Sequence, residues 1–236
     1  MDMQAAVVTV GDELLAGDTV NTNATWLCTE LTARGVSVER VTTVPDRVAD
    51  IARVVNEYHA EYDAVVVTGG LGPTHDDVTM EAVAAAFGRS LERSEDAAEW
   101  LAANSGYSAA DLVEGTTDLP AGSQMLPNEE GVAPGAVIGT VYVLPGVPDE
   151  MKTMFGQIAD EFAGEQTHVR FVRTSEPESS LIGRFTSLQE AFDVTVGSYP
   201  GDHVRVKLAG ADEATVEAAA AWLEARVEGI EEAETG

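Results

Sequence analysis

The chain has 236 residues, 44% of them apolar, and 41 acidic side chains against 13 basic ones give it a formal net charge of −28. This length suits one large and one small domain, and so acidic a surface excludes nucleic acid and anionic membranes as expected partners. No apolar run approaches the ~20 residues of a membrane span, no basic-then-apolar leader opens the chain, and Cys28 stands alone, which excludes an internal disulfide or a multi-cysteine metal site.

A soluble cytoplasmic protein is therefore expected. Its acids are spread along the whole sequence, and Lys152 and Lys207 are its only lysines. That distribution fits a surface adapted to concentrated salt better than a docking site for one partner.

In chain order, residues 4–10 are small and β-branched and predict a buried strand. Asn21 or Thr22 caps a helix carrying Leu27, Cys28 and Leu31, which ends at Gly35. Residues 36–43 alternate as a strand through Val36, Val38 and Val41; Val48, Ile51, Val55 and Tyr58 then fall at helical spacing. A β-branched strand at 64–68 precedes a glycine turn, and Met80, Val83, Ala84 and Phe87 place the next helix on the core. A short helix from Ser94 carries Trp100 and Leu101 into a loop-rich stretch. One strand is expected at 136–144, then a helix at 149–162 opened by Pro148.

The boundary is expected at 164–166, giving domains 1–165 and 166–236. Beyond it, a strand at 168–174 leads to a helix opening near Ser175 with Glu178 as its capping box. Two strands at 195–199 and 203–209 and a last helix through Val216, Ala220, Leu223 and Val227 complete a small α+β domain, followed by an acidic tail at 228–236. In the larger domain, strand–helix alternation predicts a mostly parallel α/β sheet covered on both faces. Ligands of such sheets bind at the carboxyl ends of the strands.

The chemistry concentrates at those ends. Thr68-Gly69-Gly70-Leu71-Gly72-Pro73-Thr74-His75-Asp76-Asp77-Val78-Thr79 runs from strand through glycine turn to helix. Glycines let backbone N–H groups approach an anion, and the helix start favours negative charge. Asp76 and Asp77 in the same loop would repel a bare phosphate, so the pair implies a divalent cation such as Mg, Mn or Co and a small phosphate-containing ligand. One of the two is also a candidate helix cap. Gly11-Asp12-Glu13 follows the first strand, and Asp46 in Val44-Pro45-Asp46 follows the second, as either a functional acid or the cap of the next helix. Asp12 or Glu13 is placed to complete a metal site or to act on water, Asp12 and Asp76 being metal candidates from position alone, and His75 is either a metal ligand or a solvated loop residue. Asp18, Asn21 and Asn23 include at least one cap. Pro145-Gly146-Val147-Pro148 forms a rigid turn with Gly146 as a backbone wall, and the glycines of loop 128–135 are placed to close over a substrate. With no Ser/His/Asp pattern and no paired histidines, activation of water against a phosphoanhydride fits better than a covalent enzyme intermediate.

These segments, with Leu144-Pro145-Gly146-Val147-Pro148-Asp149-Glu150-Met151, resemble the molybdopterin-binding (MoaB/Mog-like) domain shared by molybdenum-cofactor enzymes, CinA proteins and the N-terminal part of eukaryotic FAD synthases. The resemblance covers about the first two-thirds of the chain; the rest is similar, more loosely, to the second domain of CinA. It implies a three-layer α/β/α domain and a metal-dependent pyrophosphatase that cleaves ADP-ribose or FAD. The alternative it implies is a protein that binds or adenylylates molybdopterin. On this resemblance Thr68, Gly69, Gly70, Gly72, Pro73 and Thr74 hold phosphate, Asp77 and Asp46 match functional acids of the molybdenum branch, and a homo-oligomer is expected. Neither an amidase domain nor a FAD-synthetase half is expected in this chain.

Overall fold

The computed structural model describes residues 3–104, 113, 115–164 and 167–230. It divides into two units, Met1–Gly164 and Glu165–Gly236. Residues 165–166 of the expected boundary, part of the loop-rich stretch and the tail beyond Ile230 lie outside the described residues.

In the first unit β1 (Gln4–Val10) leads through α1 (Asp12–Ala16) and α2 (Thr22–Ala33) to β2 (Ser37–Val44), and α3 (Val48–Glu61) leads to β3 (Ala64–Gly69). After the glycine loop come α4 (Thr79–Ala86), β4 (Leu91–Arg93), α5 (Glu95–Asn104), β5 (Asp118–Pro120), β6 (Gln124–Leu126), β7 (Gly135–Ile138), β8 (Val141–Pro145) and α6 (Pro148–Ile158). The main sheet has the order β2-β1-β3-β8-β7-β6. Its first four strands are parallel; β7 is antiparallel to β8, and β6 antiparallel to β7.

Strand alternation explains why both faces are covered. Ala6, Val8, Val65, Val67, Val141 and Val143 face a core with Ile51, Val55, Met80 and Val83 from α3 and α4. Ala5, Val7, Val66 and Leu144 face the opposite core with Leu27 and Leu31 of α2 and Met151, Met154 and Phe155 of α6. Both faces of the central strands are thus buried, so these parallel strands read as continuous apolar runs. The result is the three-layer α/β/α sandwich. Because β1 has β2 on one side and β3 on the other, the chain reverses its direction of winding there and leaves a crevice beyond the strand ends.

Two expectations need correction. The single strand at 136–144 is a hairpin of β7 and β8, turned at Gly139, whose φ of 59° lies in the left-handed region that glycine tolerates. Val41 is 49% exposed because β2 is an edge strand, although the register shift between Ala5 and Ala6, passing over Glu39, sets it opposite Val7 on the face of Val38.

The second unit contains β9 (His168–Thr174), α7 (Glu178–Ala191), β10 (Thr195–Tyr199), β11 (Val204–Gly210) and α8 (Glu213–Glu224). Its sheet, ordered β10-β11-β9, is antiparallel. Val172, Val206 and Leu208 pack on Leu181 and Leu188 of α7 and Val216, Ala220 and Leu223 of α8. The capping box expected at Ser175 does not form: α7 opens after Pro177 without a side-chain cap, and Glu176 instead accepts hydrogen bonds from Arg184, Ser180 and the Glu228 N–H.

Candidate functional site

A cavity of about 450 Å³ opens in the crevice, walled by the backbone at Gly11, Gly69, Gly70, Gly72 and Gly146. Five carboxylates line it, from Glu13, Asp46, Asp76, Asp77 and Glu150, and among the described residues no lysine or arginine does. The strand ends bring distant segments together here. A Cβ on Gly146 would stand 3.4 Å from the Gly69 carbonyl carbon, so β3 and β8 end almost in contact.

The glycine loop is shaped by Asp77. A Cβ at Gly72 would lie 2.8 Å from Asp77 Oδ2, and one at Gly70 would overlap Asp77 Oδ1. Neither glycine has a positive φ, so each serves through its missing side chain and not through left-handed backbone. Gly69 is squeezed in the same way between Val10, 2.8 Å from its ideal Cβ, and the Thr79 hydroxyl. Asp77 is fastened at the far side of the loop. Its carboxylate accepts the Thr74 N–H at 3.0 Å and the Thr74 hydroxyl, which also lies 2.6 Å from Asp76 Oδ1.

Neither Asp76 nor Asp77 caps α4, whose N-cap is Val78 with no side-chain bond. Asp46 does not cap α3 either; Arg47 holds that position, and Asp46 Oδ2 accepts the Asp12 N–H at 2.8 Å across the crevice. Asp12 thus meets the site through its backbone and is absent from the cavity lining. Pro73 and Thr74 are likewise outside the lining and act on it by shaping the loop. Thr68 is buried and borders a neighbouring cleft with Asn21 and Asn23. His75 is almost fully exposed.

Asn21 is the cap among the three polar candidates, accepting the Ala24 N–H at 3.1 Å. Asn23 donates to the Gly146 carbonyl at 2.7 Å, which ties α2 to the wall of the site, while its buried Oδ1 has no hydrogen-bond partner among the described residues. Loop 128–135 is also built in. Asn128, 1% exposed, donates to the Ala133 carbonyl and Glu150 Oε2 and accepts the Gly131 N–H. Glu150, in the first turn of α6, escapes the sequence reading as a site residue, although Pro148 marks the helix start that delivers it.

Residues 6–165 match the family described as a probable molybdopterin binding domain. The chain belongs to that family. Residues 166–233 match the middle domain of FAD synthase. A protein of Archaeoglobus fulgidus is 38% identical over 224 residues, 94% of this chain and 97% of its own length. The crystal structure of CinA from Thermoplasma acidophilum, described as of unknown function, shares 36% identity with a TM-score of 0.63 over 68% of this chain and 98% of its own. A CinA-like protein of Frankia casuarinae is 42% identical over 165 residues, which span only 38% of that protein.

Within this molybdopterin-binding domain the acids differ in their electrostatic setting. Partial burial pushes the Asp46 carboxyl up, opposed by the Asp12 N–H and reinforced by the charges of Glu13, Asp12 and Asp76. The Thr74 hydroxyl holds Asp76 below the usual carboxylate range. Among the described residues no three acids or histidines already converge as a metal cage, and no helix is long and apolar enough to cross a membrane.

Proposed function

We propose that the chain is a divalent-metal-dependent hydrolase of a dinucleotide pyrophosphate, ADP-ribose or FAD. The observation that carries this reading is the purely acidic charge of a cavity whose walls are largely glycine backbone. Five carboxylates repel a pyrophosphate unless a cation stands between them. Their hard oxygen donors fit Mg or Mn, and the lack of a closed cage among the described residues fits an ion bound by one or two carboxylates plus substrate phosphates.

Asp76 and Glu13 would hold the ion, and Asp77, fastened by both the N–H and the hydroxyl of Thr74, sets the loop. The ion, when bound, supplies charge neutralisation on the phosphoryl oxygens. The glycine backbone lets the pyrophosphate approach closely, and loop N–H groups oppose the charge that develops on it. A carboxylate of the crevice accepts the proton of the attacking water, Asp46 being the best placed between β1 and β2. Turnover of ADP-ribose tests the requirement for a cation: AMP should appear with Mg and stop in chelator, and equal release in both would overturn the reading.

A second reading, binding or adenylylation of molybdopterin, is favoured by the family match over residues 6–165. It uses the same cavity. A fluorescent pterin that co-purifies in stoichiometric amount would support it over hydrolysis.

A further inference from the structure

The outer face of the small sheet in the second unit runs against the charge of the rest of the chain. β9, β10 and β11 contain no aspartate or glutamate, yet they carry Arg170, Arg173, Arg205 and Lys207. These are four of the 13 basic side chains in a protein with 41 acids. Arg170 lies on the helix side and is neutralised by Glu217 at 2.9 Å. The other three share the opposite face, since Val172, Val206 and Leu208 point inward. Arg173 stands directly across from Arg205, and Lys207 directly across from Phe171. Like charges in direct register destabilise a sheet. Among the described residues no carboxylate forms an ion pair with Arg173, Arg205 or Lys207.

Aromatic rings stand among these cations. Phe171 is 47% and Tyr199 46% exposed, and the Arg205 guanidinium lies 4.9 Å from the first ring centroid and 5.4 Å from the second. Gly197, opposite Lys207 on the edge strand, has no side chain to hold the Tyr199 ring off the sheet; the ring comes within 3.3 Å of its ideal Cβ. The face therefore offers flat π surfaces beside clustered donors for phosphate oxygens.

We propose that this face binds a nucleoside polyphosphate of ADP size. Its base stacks on Phe171 or Tyr199, and its phosphates meet Arg173, Arg205 and Lys207. Adjacent strands are about 4.8 Å apart, which places the paired arginines within reach of two neighbouring phosphates. The small size follows from charge: a longer polyanion would run off the patch onto a surface of net charge −28. This binding needs no metal and is independent of the reading of the first unit.

The experiment is a calorimetric titration of the full chain in chelator with ADP, inorganic pyrophosphate and a short oligothymidylate. The expected result is one ADP site per chain, weakened by about tenfold or more in Arg173→Ser/Arg205→Ser, weakened also in Phe171→Ala, and weaker for pyrophosphate than for ADP. Circular dichroism confirms that these surface variants fold. No ADP binding in chelator, or unchanged binding in the double arginine variant, would overturn the proposal. Pyrophosphate binding as tightly as ADP would show that the rings are not read, and oligothymidylate binding more tightly would make single-stranded nucleic acid the occupant; either result rejects it.

Discussion

The carboxylate of Asp77 fills the space that a side chain at Gly70 would occupy. This contact makes the glycine loop and the acid one structural unit, closed on its far side by Thr74. Gly70→Ala must therefore push Asp77 away or distort the loop. The expected cost is about 1–3 kcal/mol of stability, as for other overpacked sites, with loss of turnover. Thermal unfolding measures the first effect and AMP release the second; a Gly70→Ala variant with unchanged stability and activity would contradict the assignment.

Asn128→Ala should destabilise the first unit by about 1–3 kcal/mol, because it removes a buried amide and leaves the Gly131 N–H and Ala133 carbonyl without their partner. It also frees Glu150, whose carboxylate Asn128 holds at 2.8 Å. The denaturation midpoint should fall and the activity with it.

Glu176 carries a pH dependence in the second unit. The Arg184 guanidinium, with the Glu228 N–H and the Ser180 hydroxyl, holds its carboxyl below the ordinary range. A depressed folded-state pKa contributes stability that is fully present above the unfolded value, about 4.3, and is lost as pH falls through the folded value. Glu176→Gln should therefore be less stable than the parent at neutral pH and converge with it in acid. A deficit that stays constant with pH would contradict this account.

How much of this can be read from the residues depends on where the cause of each feature lies. β1 and β3 are plain in the sequence because both faces are buried and nearly every position is small or β-branched. The β7–β8 hairpin is hidden because Gly139-Thr140 interrupts one apolar run without a longer turn signal. The glycines of the loop are legible as a site, but close approach to an anion is only part of their reason: they also make room for Asp77, a contact set by the path of the folded loop. The cross-crevice bond from Asp12 N–H to Asp46 joins residues 34 apart in sequence, and Glu150 arrives from α6, so neither relation has a local signature. Thr79, whose buried hydroxyl beside Gly69 has no hydrogen-bond partner among the described residues, likewise acquires its place only when β3 and α4 meet.

The surface predicts a dependence on salt. With a net charge of −28, self-repulsion is screened at molar ionic strength and exposed at millimolar. Circular dichroism should show loss of ordered structure on dilution of salt and recovery on its return; an unchanged spectrum would contradict a salt-adapted surface.

The most direct test of the proposed chemistry is the release of AMP from ADP-ribose and FAD in high salt with Mg, Mn or Co, measured beside Asp77→Ala. The account predicts AMP only when metal is present, and a rate at least about 100-fold lower in the variant, whose overall fold persists but whose glycine loop loses the carboxylate that shapes it. Absence of AMP with every metal from demonstrably folded protein, or full activity in Asp77→Ala, would contradict it.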